Sequence, residues 1–129
     1  MDEGVAKAGR SRPWVTALVP VALVSKGRDA AAAVVATMGT HLRLPHYADM
    51  LARSGTEVDL KDLESTTRSL LEAGTFLFDT PEGVARGVSA YWEAGVDEVA
   101  LNFTGVCNAD GVQRALEELE STVAEARLQ

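Results

Sequence analysis

Between Thr75 and Gly105 the spacing of the apolar residues changes twice. Phe76-Leu77-Phe78 is an unbroken apolar run, as expected of a strand buried on both faces. Val84, Val88, Tyr91 and Trp92 then recur at three- and four-residue spacing, which predicts a helix with one apolar side. Asp79 or Thr80 is placed to cap that helix, Pro81 suits its first turn, and Gly95 suits the residue just past its end. Val96 to Asn102 predicts a second strand. A strand, a helix and a strand with short turns form a βαβ crossover, whose strands run parallel.

The flanking segments extend this alternation. Residues 1–12 suggest the end of a helix, with Val5 and Ala8 as a weak apolar face and Gly9 as its stop. Pro13 to Val24 is nearly all apolar and predicts a strand covered on both faces, with a bulge or break near Pro20, which has no N–H to donate. Asp29 is a candidate cap for a helix that begins in Ala30 to Ala33 and buries Val34, Val35, Met38 and Leu42. Pro45 opens a further helical segment with Tyr47, Met50 and Leu51 on its apolar side and Gly55 as its stop. Leu60, Leu63, Thr67, Leu70 and Leu71 mark another helix, ended by Gly74. After the crossover, Phe103 to Asn108 reads as a loop. A last helix follows from about Ala109 to Leu128, capped by Asn108 and burying Val112, Ala115, Leu116, Leu119 and Val123, with its glutamates mostly on the other side. The order is that of an α/β protein with a parallel sheet, in a single domain over 1–129. Three strands would leave two apolar outer edges open.

Composition narrows the function classes. An apolar fraction of 47% supports a packed core. A net charge of −7 argues against nucleic acid or an anionic membrane as partner. The single Cys107 excludes an internal disulfide, no leader-like apolar stretch opens the chain, and Val15 to Val24 is too short to span a bilayer. The expectation is a soluble, cytoplasmic protein.

Three stretches resemble the carboxyl-terminal part of the luciferase-like flavin- or deazaflavin-dependent oxidoreductases. EGVAKAGRSRPWVTALVPVALV is similar to that family's helix end followed by an inner barrel strand, and LRLPHYADMLARSG to its Pro-x-Tyr segment and short helix. DTPEGVARGVSAYWEAGVDEVALNFTG is similar to its GTPEEVAERLAEYAEAGVDEVVL pattern. Two positions depart from the pattern: the family's Gly before Thr-Pro-Glu is Asp79 here, and its second Glu is Gly83. The resemblance implies a partial (β/α)8 TIM-type barrel, about the last three strand–helix units of a fold that typically takes about 250 residues. It also implies FMN or deazaflavin as cofactor, a small-molecule substrate, and monooxygenation or hydride transfer. The family's main flavin contacts come from earlier strands, so the lone chain is expected to lack most of the active site. Self-association or a partner chain would then supply the missing strands.

In a barrel the site lies at the carboxyl ends of the strands. That rule selects Ser25, Lys26 and Arg28, then Asp79 and Thr80, then Asn102, Phe103 and Thr104. Lys26 or Arg28 is a candidate to bind an anionic group, against the plainer reading of a solvated turn. Asp79 and Thr80 are explained by capping alone. Asn102 and Thr104 as hydrogen-bonding groups, with Phe103 stacking on a ring, are the candidate cofactor contacts. His41 and His46 lack the helical spacing of a metal pair, and Cys107 lacks a partner for nucleophilic chemistry. Trp14 is expected to pack at the amino end of the sheet, and Tyr91 and Trp92 to pack on their helix or at an interface. No Ser-His-Asp set, phosphate loop or dinucleotide fingerprint occurs, and the catalytic residues are unassigned. Three function readings stay open: an incomplete oxidoreductase, a non-catalytic half-barrel that serves binding or assembly, and a gene remnant.

Overall fold

The computed structural model describes residues 3, 4, 6, 9 and 11–128. The apolar positions Val5 and Ala8 of the expected first helix lie outside the described residues. Strands β1 (Thr16–Leu23), β2 (Leu77–Asp79) and β3 (Glu98–Asn102) form one parallel sheet in the order β2-β1-β3. Helices α1 (Ala30–Leu42), α2 (Pro45–Arg53) and α3 (Leu63–Glu72) connect β1 to β2, and α4 (Pro81–Glu93) connects β2 to β3. Helices α5 (Thr104–Asp110) and α6 (Val112–Ala126) follow. No described helix is long and apolar enough to cross a membrane.

The helix boundaries follow local chemistry. Asp29 accepts the Ala32 N–H at the start of α1, Asp62 that of Ser65 at α3, and Thr80 that of Gly83 at α4. Pro45 and Pro81 stand in the first turns of α2 and α4. Gly55, Gly74 and Gly95 take positive φ just past the ends of α2, α3 and α4, the conformation that ends a helix most cheaply in glycine. The buried sides differ from expectation at Val35, Met50, Leu60 and Trp92, all substantially exposed.

Two strand expectations are corrected. β1 runs through Pro20 without a break, pairing with β3 over Thr16–Pro20 and with β2 over Val21–Leu23. Pro20 thus stands where pairing passes from one neighbour to the other. The ladder to β2 begins only at Val21, so the missing N–H is tolerated. Nor is β1 covered on both faces. Val19 and Val21 are fully buried, as is Ala22, but Leu18 is 69% exposed, so helices cover that second face only toward its carboxyl end.

The crossover β2-α4-β3 is parallel as expected, but its strands are not neighbours, because β1 lies between them. Successive strands of a barrel pair with one another. Only β1 and β3 pair here over a full five-residue strand, while β2, of three residues, adds to the far side of β1.

Packing is close at two helix contacts. A Cβ on Gly87 would stand 2.7 Å from Leu77 Cδ2, so the glycine lets α4 lie directly on β2. A Cβ on Gly105 would overlap the Thr37 hydroxyl, and α5 lies against α1 at that point. α4 in turn lies on α6. Phe76, Leu70, Val34 and Val84 are fully buried, each contributing about 1.5–3 kcal/mol by the apolar surface it removes from water. At the amino end of the sheet, Arg12 donates to Asp97 and to the Gly95 carbonyl, and Asp97 accepts the Val15 N–H at 2.8 Å. The first and third stretches that carry the family resemblance are joined there.

Candidate functional site

A cleft of about 550 Å³ opens beyond the carboxyl ends of β1 and β3. Its floor is Ala22, one wall is the small-residue side of α1 (Ala32, Ala33, Ala36, Thr37), and the other is Gly105, Val106 and Ala109 of α5. The loop Ser25–Asp29 and Arg114 close its rim. The alanine run that begins α1 accounts for the space, since larger side chains would fill it.

The rim is set by a buried carboxylate. Glu118, on α6, is 3% exposed. Its Oε1 accepts the Leu23 N–H at 2.9 Å and Arg28 Nη1 at 2.8 Å, and its Oε2 accepts Arg28 Nη2 at 2.9 Å and Arg114 Nε at 3.1 Å. Arg28 also donates to the Leu23 carbonyl at 2.6 Å and to Asp110 at 2.7 Å. Burial alone would push the Glu118 carboxyl up. The hydrogen bonds from Arg28, the Leu23 N–H and Arg114 outweigh it and hold the group below its ordinary value. The Glu118 hydrogen bonds, reinforced by Asp110 and opposed by burial, raise the Arg28 guanidinium. The arrangement ties the end of β1 to α6 across the sheet's carboxyl end.

Arg28 is therefore occupied by carboxylates and a carbonyl, and it carries the loop rather than an incoming anion. Lys26 is exposed on the rim with no ion pair among the described residues. Ser25 Oγ accepts Arg114 Nη2 at 3.3 Å. Asp79 and Thr80 line no part of the cleft. The Asp79 carboxylate accepts the Thr80 N–H at 2.7 Å, and Thr80 caps α4.

The three candidate cofactor contacts separate. Asn102 Oδ1 accepts both the Thr104 N–H at 2.9 Å and the Thr104 hydroxyl at 2.5 Å, which shapes the turn into α5. Phe103 is 7% exposed and packs in the core, so its ring presents no open face. Thr104 is exposed. The expected loop from Phe103 to Asn108 is instead helical over α5, which follows directly on the Asn102–Thr104 turn with Phe103 as its cap residue. Asn108 lies inside α5, and Gly111 separates α5 from α6.

Asn102 also lines a second cavity of about 320 Å³, together with His41, Tyr47 and Tyr91. The rings of His41 and Tyr47 stand 5.6 Å apart at 50°. Tyr91 donates to the Gly74 carbonyl at 2.5 Å, and burial, with Tyr47 nearby, pushes its hydroxyl up. His46 is exposed and Cys107 is a half-buried free thiol. Trp14, expected to pack, is 70% exposed, and its indole N–H donates to Glu98 at 3.3 Å. No cluster of three or more His, Cys, Asp or Glu side chains able to hold a metal occurs among the described residues.

Sequence reading missed Glu118, Arg114 and Asp110. The signal was present: Ala115, Glu118, Leu119 and Thr122 share one helix side, so Glu118 interrupts the apolar stripe, and Arg114 stands four residues before it. Val112 and Leu116, assigned to that stripe, are instead 62% and 54% exposed, and Glu118 and Thr122 are buried in their place.

Comparison with known proteins finds no family model, curated protein or solved structure that matches this chain.

Proposed function

We propose that this chain contributes the carboxyl-terminal part of a luciferase-like oxidoreductase that uses FMN or a deazaflavin for monooxygenation or hydride transfer, with the cleft beyond β1 and β3 as its share of the cofactor site. The supporting observation is the position of that cleft: the two strands pair directly and in parallel, and it lies beyond their carboxyl ends, where barrel and open α/β enzymes place their ligands. The barrel reading retains β1 and β3 as successive strands and treats the short β2 as an addition at the edge, two strand–helix units rather than three.

The departures from the family pattern are consistent with the reading. A Cβ on Gly83 would overlap the Asp79 carboxylate, so Asp79 and Gly83 form one exchange: a side chain added at the first position needs its removal at the second. The cleft fits part of a flavin nucleotide. Lys26, beside the amino end of α1, suits its phosphate. No aromatic side chain lines the cleft, so the ring system needs contacts from outside this chain. Asn102 and Thr104 are committed to the turn, and Phe103 supports it from the core.

The test is a fluorescence titration of the isolated chain with FMN and with a deazaflavin. Weak saturable binding is expected, lost in Lys26→Glu with unchanged circular dichroism. A folded chain that responds to neither cofactor up to millimolar concentration, or a Lys26→Glu variant that binds as well as the parent, overturns the reading.

A second reading is a non-catalytic assembly module, completed by another copy or by a partner chain. What favours it is the exposure of Leu18 on the central strand, 69%, and of Trp14 just before that strand, 70%. An apolar side chain in mid-sheet is normally covered.

A further inference from the structure

The second cavity has a chemistry that the flavin reading does not use. Leu18 and Pro20 of β1 and Met38 of α1 give it an apolar base, and His41, Tyr47 and Tyr91 give it aromatic walls. Thr37, Thr75 and Asn102 complete it, and among the described residues no Asp, Glu, Lys or Arg lines it. Its volume of about 320 Å³ matches the lower range of small-molecule sites.

Two polar groups on its lining have no hydrogen-bond partner among the described residues. One is the Tyr47 hydroxyl. The other is the Asn102 side-chain amide nitrogen. The Thr104 N–H donates to the Asn102 side chain, and only the oxygen can accept it, so the orientation of that amide is settled. The NH2 group is then what Asn102 has left to offer the cavity. Both tyrosines line this one cavity, and the Tyr47 ring stands 5.6 Å from that of His41.

We propose that this cavity binds a small, uncharged aromatic molecule carrying a carbonyl or hydroxyl oxygen. The ring lies among His41, Tyr47 and Tyr91, and the oxygen accepts from the Asn102 amide. The absence of lining charges selects against ionised ligands, whose desolvation nothing there would offset. The donor selects against plain hydrocarbons, which would leave it unpaired. The assignment is independent of the cofactor reading, because it shares neither Lys26 nor the cleft rim with it.

The experiment is a nitrogen-edited NMR titration of the full chain with acetophenone, toluene and benzoate as probes. Acetophenone is expected to shift the Asn102 side-chain amide and the backbone signals of His41 and Tyr91. Toluene and benzoate should each bind at least about tenfold more weakly. Asn102→Asp keeps the oxygen that accepts from Thr104 but removes the amide donor, and it should weaken acetophenone by about tenfold or more. Should that variant not fold, Leu18→Glu, which places a carboxylate on the lining at an exposed position, is expected to abolish the response. Equal binding of acetophenone and benzoate, shifts centred on Lys26 to Ala33, unchanged affinity in both variants, or no response at millimolar probe overturns the proposal.

Discussion

Glu118 shows how much one side chain decides at the scale of the residue. It is a buried carboxylate with four hydrogen bonds from the protein, two of them from one guanidinium. Removing one partner of such a pair leaves the other charged and buried, which costs about 3–5 kcal/mol. Glu118→Gln is therefore expected to lower the urea-unfolding free energy by about 3 kcal/mol at pH 7. The sign of its pH dependence follows from the direction of the shift. The folded-state carboxyl lies below the ordinary value of 4.5, so its stabilisation is fully present above that pH and is lost as pH falls through the lower, folded value. The stability gap between parent and Glu118→Gln should narrow on acidification below that value; a gap constant from pH 7 to pH 3 would refute the account. Asp79 and Gly83 give a second residue-scale prediction. Gly83→Ala should gain the usual helix advantage of about 1 kcal/mol only when Asp79→Ala removes the carboxylate it meets, giving a coupling of about 0.5–1 kcal/mol in a double-mutant cycle. Additivity would show that the Asp79 side chain simply moves aside.

The junction of α5 and α6 is decided at the scale of the element. Only α6 was legible as helical sequence, and α5 does not merge with it, because Gly111 takes φ 94° and ψ 165°, a region essentially restricted to glycine. That residue turns the chain so that α5 lies on α1 while α6 lies on α4. Gly111→Ala is expected to cost about 1–3 kcal/mol by thermal or urea unfolding. A variant as stable as the parent would mean that the junction relaxes into one continuous helix. Cap positions were readable at this scale, since Asp29, Thr80 and the glycines past α2 to α4 act locally. The helix ahead of Gly111 was not, because a turn residue such as Asn102 can end one element or begin another. Contact with Thr37 on α1 selects between them here.

At the scale of the whole molecule, the sheet leaves apolar surface uncovered. Leu18 sits mid-sheet with most of its surface in water, and among the described residues both outer strands offer unpaired edges. If another copy covers this face, sedimentation should show concentration-dependent dimers. Leu18→Lys should then shift them to monomer with less than about 0.5 kcal/mol change in monomer stability, as for an exposed position. An unchanged mass distribution would remove this face from any assembly.

The chain's alternation of strand and helix, its parallel sense, its caps and most of its buried helix sides follow from the sequence by itself, because they depend on spacing and on neighbours a few residues away. Strand order was decided only by tertiary structure. Parallel crossovers can place a strand on either side of its predecessor, and nothing local to β2 or β3 says that β1 lies between them. The site followed the same division. The carboxyl-end rule led to Ser25, Lys26 and Arg28 at the cleft and to Asn102 at the second cavity. Only the folded chain decided that Arg28 is spent on Glu118, that Phe103 turns into the core and that the Asn102 oxygen is committed to Thr104. Which partner a side chain meets some ninety residues away is set by how the helices close over the sheet.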